Sequence, residues 1–273
     1  MPDLRTVFLS DDGTGTVLFK FVADKEMDLS SGTLFAAKVS QTPDERDPAK
    51  ANFKVTWIEL GKEKESALEG IIREYDGSFK EAKYINSKQI SAWAETKLNL
   101  DLNGDGEISK PPFNDDRPAF LESRKAAAAL GASAEFRKME GININFKLAN
   151  NWWSKGKANG KQAYMYVAMS NFNKTMSDKI GDIQLDGKSG ICGAVYRMKL
   201  VKNSSGLIDI EELVPAIVGG PISFSKKNYI CEADNIAEPD NLVILDDGRV
   251  IIGEDSGNHL NNMIWIFDDP ATR

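Results

Sequence analysis

The chain has 273 residues, 41% of them hydrophobic and 27% charged, with a formal charge of −7. This is ordinary globular composition, sufficient for one large or two modest domains. The acidic balance, with no Lys/Arg cluster interleaved with aromatics, argues against a nucleic-acid surface and fits pockets that hold cations. The apolar runs are far too short for a membrane span, and "MPDLRTVFLSDDG" has neither the basic start nor the cleavage site of a secretory signal. The sequence reads as neither anchored nor self-exporting.

In chain order, alternating β-branched and aromatic residues predict short strands over 6–10, 16–22, 33–39 and 53–59. A helical region follows over 62–131. There "EKESALEGIIREY" has helical spacing, "SKQISAWAETKL" begins at a capping Ser87, and "NDDRPAFLESRKAAAALG" carries Pro118 near its start and Gly131 at its stop. Further strands are predicted over 143–147, 162–170, 193–199, 241–246, 249–253 and 262–267.

The pattern is a mainly β chain with one helical insertion. Ten or so strands separated by Asp/Gly turns suggest a sandwich or, with four strands to a blade, two to three blades of a β-propeller, whereas closed propellers have about four to eight blades. The expectation is one incomplete propeller-like domain over 1–273. A strand begins almost at once, and "NNMIWIFDDPATR" stops where a hairpin partner belongs. Either the chain is a half scaffold or a second copy or another chain completes it.

"DLNGDGEIS", residues 101–109, has the spacing of a calcium loop. Asp101, Asn103 and Asp105 occupy positions 1, 3 and 5, and Gly106 the sharp turn. Position 12, which normally supplies a bidentate carboxylate, is Pro112. The loop must borrow Asp115 or Asp116, bind weakly, or be a solvated Asx-rich turn. "SDDGTG" offers Asp11 and Asp12 after a strand, a position equally suited to a hairpin turn. In "EPDNLVILDDGRVIIGEDSGNH", Glu254 and Asp255 end one strand and Asp240 precedes another, so they can act as ligands or as turn caps. Ser256 lies near His259, the one histidine, but nothing resembles a nucleophile elbow.

"GASAEFRKMEG" places Arg137, Lys138 and Glu140 at a strand entrance. Two cations and a carboxylate there suit an anion and a metal, the combination that phosphoryl transfer uses, or form a solvated charge cluster. Cys192 and Cys231 both sit beside apolar residues, and read either as free buried thiols or as a pair in an oxidising compartment.

Taken together, "VFLSDDGTGTVLFKFVADKEMDLSSGTLFAAK", "SRKAAAALGASAEFRKMEG", "AYMYVAMSN", "CGAVYRMKL" and "EPDNLVILDDGRVIIGEDSGN" resemble the later part of the PhoX-type alkaline phosphatase family. The resemblance implies a β-propeller that carries Ca2+ and Fe3+ and hydrolyses small phosphate monoesters. It places Lys138 at the basic position of an Arg-x-Glu motif, with Arg137 as its substitute, and Glu140 as a metal ligand. It adds Asp11, Asp12, Asp240 and Asp255 to the metal-site positions and gives Asn171 a substrate contact. The family's iron-binding cysteine has no counterpart, and neither Cys192 nor Cys231 takes that role. Relatives are exported, which implies a periplasmic or extracellular setting.

Three functions follow as expectations: a metal-dependent phosphomonoesterase or a fragment of one, a calcium-stabilised binding or scaffold module without turnover, and hydrolysis of other esters by the same cations.

Overall fold

The structure, a computed structural model, describes residues 1–76, 85–155, 162–222 and 230–272. It is mainly β. Strands β1 (Thr6–Leu9), β3 (Phe19–Lys25), β4 (Asp28–Gln41) and β5 (Phe53–Lys64) form one antiparallel meander. Strands β7 (Met139–Ile144), β8 (Tyr164–Met169), β9 (Ala194–Lys202) and β10 (Ile208–Val218) form a second. The two join into one eight-stranded sheet where β5 meets β10 through Lys54↔Glu212 and Phe53↔Leu213. Strands β11 (Pro239–Ile244), β12 (Arg249–Glu254) and β13 (Ile264–Asp268) form a three-stranded sheet, and β2 (Thr14–Thr16) pairs with β6 (Phe136–Arg137). Groups of four, four and three strands in chain order are compatible with two to three propeller blades.

Alternation decides where each strand buries its side chains. Strand β8 is enclosed on both faces: Met165, Val167 and Met169 enter the main core with Phe53, Phe136 and Tyr196, while Tyr166 and Ala168 face a second core with Leu242, Val250 and Ile252. The second core fastens the three-stranded sheet to the second meander.

Helices α1 (Glu65–Asp76), α2 (Ser87–Leu98), α3 (Arg117–Leu121) and α4 (Ser123–Ala129) follow β5. Trp93, Ala126 and Ala127 pack on Val17, Phe19, Leu34 and Leu60, covering one face of the first meander. The cap of α2 is Asn86 and not Ser87. Its side chain accepts from Gln89 N–H while the Gln89 side chain accepts from Asn86 N–H.

Three local expectations change. The strand expected over 16–22 is split, because β2 pairs with β6 before Val17 and Leu18 turn inward. The strand expected over 143–147 ends at Ile144, and a helix α5 (Phe146–Lys155) starts where Asn145 Oδ1 accepts from Leu148 N–H at 2.8 Å. Strand β10 was not expected at all. Of the two readings of Cys192 and Cys231, free buried thiols or a pair, the structure has the pair, a disulfide.

Candidate active site

The site lies where β7 passes β11. Gly141 makes that approach possible, since a Cβ there would stand 2.3 Å from Asp240 O and 2.9 Å from Leu242 N. Asn143 Nδ2 donates to Leu242 O at 2.9 Å, fixing the same register. As a result the Glu140 carboxyl lies against that of Asp240. Burial first, then Asp240, pushes Glu140 up to about 7, with Lys138 opposing both. Ser10 Oγ holds the Glu140 carbonyl at 3.0 Å.

Lys138 ties the group together. Its backbone is left-handed (φ 53°), its N–H donates to Gly13 O at 2.8 Å, and its carbonyl accepts from Ser170 N–H at 3.1 Å. Its ammonium contacts Glu140 Oε1 and reaches Asp12 Oδ1 at 2.9 Å. Glu140, then Asp12, raise the Lys138 pKa, so it stays a cation. Asp12, Lys138, Glu140 and Asp240 thus form one chain of contacts.

A family model for the alkaline phosphatase PhoX matches residues 2–268. The chain belongs to the PhoX alkaline phosphatase family. No curated protein and no solved structure matches it.

The other positions that the PhoX resemblance marks are more dispersed. Asp11 is gripped by the Arg124 guanidinium through both carboxylate oxygens, and Arg124 Nη2 also donates to Asp12 O at 2.9 Å. Asp255 is exposed at the end of β12, its N–H 3.3 Å from Glu238 O. Asn171 is buried; its Nδ2 donates to Ile191 O at 3.3 Å and its Oδ1 accepts from Asn173 N–H at 3.0 Å. Glu254, beside Asp255, is spent on Ala237 N–H, Met263 N–H, Trp265 Nε1 and His259 Nδ1. Among the described residues no three acids, cysteines or histidines gather closely enough to hold a metal ion.

The donor chemistry nonetheless suits a hard cation at Glu140 and Asp240. Two abutting carboxylates, one with its acidity suppressed by the other, repel less when a divalent ion lies between them. Iron through a cysteine does not fit, because Cys192 and Cys231 are bonded to each other.

The calcium-type loop lies apart, after α2. Asp101 accepts from Gly104 and Gly106 N–H, and Asn103 and Asp105 each accept from the backbone two residues on. Neither proposed donor for the twelfth position is free: Asp115 binds Arg117, while Asp116 accepts from Lys62 N–H and pairs with Lys97.

Sequence reasoning passed over two residues here. Arg124 is visible only as a basic residue early in α4. Glu238 opens the "EPD" turn, and its Oε2 accepts from Ser256 Oγ and Gly257 N–H, both at 2.9 Å.

Proposed function

We propose that this chain hydrolyses phosphate monoesters at the group formed by Lys138, Glu140 and Asp240. The observation that carries the reading is the abutting Glu140 and Asp240 carboxyls with a lysine ammonium beside them, in a PhoX-family chain. A phosphate ester needs its negative oxygens neutralised while the ester bond breaks, and cations close to a carboxylate pair serve that need.

In this reading Glu140 and Asp240 hold calcium, with Asp11, Asp12 and Asp255 as further anchors. Bound calcium supplies charge neutralisation of the phosphate and polarisation of its oxygens. The chain's own residues do the rest. Lys138 or Arg137 meets the equatorial oxygens, Asp12 holds the Lys138 ammonium, and Asn171 is a polar substrate contact on the PhoX resemblance alone. The loop around Asp101, Asn103 and Asp105 holds a second, structural calcium, weakly because Pro112 leaves the twelfth position without a carboxylate.

The test is release of p-nitrophenol from p-nitrophenyl phosphate at alkaline pH, with calcium and after chelation, on the full chain and on Glu140→Ala. Calcium-dependent turnover lost in the variant is the expected result. Turnover that survives Glu140→Ala overturns the site.

A second reading has its own observation. Asp11 and Asp12 are already neutralised by Arg124 and Lys138, which leaves fewer free carboxylates for a catalytic cation cluster and suits a binding module without turnover, its calcium held in the loop around Asp101. Calcium binding with no hydrolysis of any phosphate ester would select it.

A further inference from the structure

The three-stranded sheet has two apolar faces, and one of them is uncovered. Leu242, Val250, Ile252, Trp265 and Phe267 turn inward onto Tyr166, Ala168 and Val195 of the second meander. The alternate positions turn outward. There Val243 pairs with Ile251 and Ile251 with Ile266, so the three make one row across the sheet. In the next row Gly253 pairs with Ile264 and has Asn241 on its other side. Ile264 is 79% exposed, Ile266 62% and Val243 53%.

An antiparallel sheet with one wet face alternates apolar and polar residues. The segments "NLVIL", "RVII" and "MIWIF" do not alternate; they are the continuous apolar runs of strands buried on both sides. Strand β8, "YMYVAM", has the same pattern and is enclosed on both faces. Strand β13 is moreover the edge of its sheet, and "IWIFD" contains neither the lysine nor the proline that commonly guards an exposed edge. An aliphatic face of this kind marks an interaction surface.

The face is complementary to itself. A Cβ placed on Gly253 would meet nothing nearer than Asn241 Cβ at 3.7 Å, so the glycine leaves a notch, and the isoleucines of β13 project beside it. Knob and notch on one surface suit a two-fold contact, in which each copy fills the other. The charged positions of the face, Arg249 and Asp268, oppose each other at one end and differ in sign, so two such faces can meet although the chain carries −7. The aliphatic rows offer on the order of 400 Å² per copy, which with a rim of Asn241, Arg249 and Asp268 reaches the roughly 1,000 Å² in total that a specific dimer needs.

We propose that two copies of this chain associate face to face through the outer surface of β11, β12 and β13, about a two-fold axis. The two sheets stack with Val243, Ile251, Ile264 and Ile266 of one copy interdigitating with those of the other. The inference is independent of the phosphatase reading, because none of these residues belongs to the group around Glu140.

The experiment is sedimentation velocity on the full chain across micromolar concentrations, with Ile264→Arg, Ile266→Arg, Val243→Arg and, as a control on the distant β3–β4 hairpin, Met27→Arg, whose side chain is 83% exposed. The unaltered chain should sediment at twice its 30.1 kDa mass. Each substitution on the face acts twice in a two-fold dimer, so Ile264→Arg and Ile266→Arg should each weaken association at least a hundredfold and give monomers. Met27→Arg should leave the dimer as it is. The altered side chains are exposed in the single chain, so the thermal unfolding of the monomeric variants should show a folded protein; if Ile266→Arg does not fold, Val243→Arg takes its place. An unaltered chain of monomer mass at every concentration, a dimer that survives Ile264→Arg and Ile266→Arg, or a dimer lost equally in Met27→Arg overturns the proposal.

Discussion

The carboxyls of Glu140 and Asp240 abut, although one stands on the edge strand of the eight-stranded sheet and the other on the edge of the three-stranded sheet. The contact exists because Gly141 has no side chain to keep β7 and β11 apart. Gly141→Ala would drive a methyl into the Asp240 carbonyl. Overpacking of this kind costs about 1–3 kcal/mol. We predict a loss of that size in urea unfolding, together with loss of phosphatase activity, because the carboxyls separate. Unchanged stability and activity would mean that the two strands do not approach this closely.

Asp269 is fully buried and accepts from Tyr166 Oη at 2.9 Å, Arg197 Nη1 at 2.6 Å and Ala271 N–H at 2.9 Å. Burial, then the Asp269 charge, raises the Tyr166 pKa and keeps the phenol a donor. Removing one partner of such an ion pair leaves the other charged and unpaired, at about 3–5 kcal/mol. Asp269→Ala should lower thermal stability accordingly, measured by calorimetry, and Asp269→Asn should lose less because it keeps two acceptor sites.

The disulfide closes a loop between Cys192 and Cys231, which stand 39 positions apart in the sequence. Chain entropy alone assigns such a closure about 4 kcal/mol. The double variant Cys192→Ser/Cys231→Ser should unfold at lower urea by roughly this amount, as should the chain folded under reducing conditions. Equal midpoints would show that the bridge adds nothing.

Asp3 is buried, and its carboxylate accepts from Arg5 N–H, Thr6 N–H, Thr6 Oγ1 and Ile208 N–H. Burial pushes its pKa up, but the hydrogen bonds from Thr6, Ile208 and Arg5 together outweigh this and hold it below the usual value. A depressed carboxylate stabilises the fold above its unfolded pKa, and that contribution is lost as pH falls through the folded value. Asp3→Ala should therefore cost about 2–3 kcal/mol near neutrality through the donors left unpaired. The stability difference from the unaltered chain should shrink steadily below about pH 4. A difference that does not change with pH would sink the assignment.

By itself the sequence determined the features that arise within a few residues. Alternating apolar residues set most strands, helical spacing set α1 and α2, and "FRKME" placed Lys138 two residues before Glu140 at a strand entrance, whereas the segment that reads as one helix up to Gly131 is two, α3 and α4, broken at Glu122. Strand β10 escaped because register shifts between Ile210 and Glu212 and between Pro215 and Ile217 break the two-residue period that would have revealed it. Helix α5 escaped because its start looks like a continuing strand until the Asn145 side chain caps it. Only the tertiary structure decided that Asp240 meets Glu140, that Arg124 takes Asp11 and that the two cysteines pair. Each of these joins segments far apart in the chain, and no local period encodes such a meeting. The Glu140–Asp240 meeting is set by the faces that β7 and β8 bury against the three-stranded sheet, and the Arg124–Asp11 pair by the packing of α4 on the first meander.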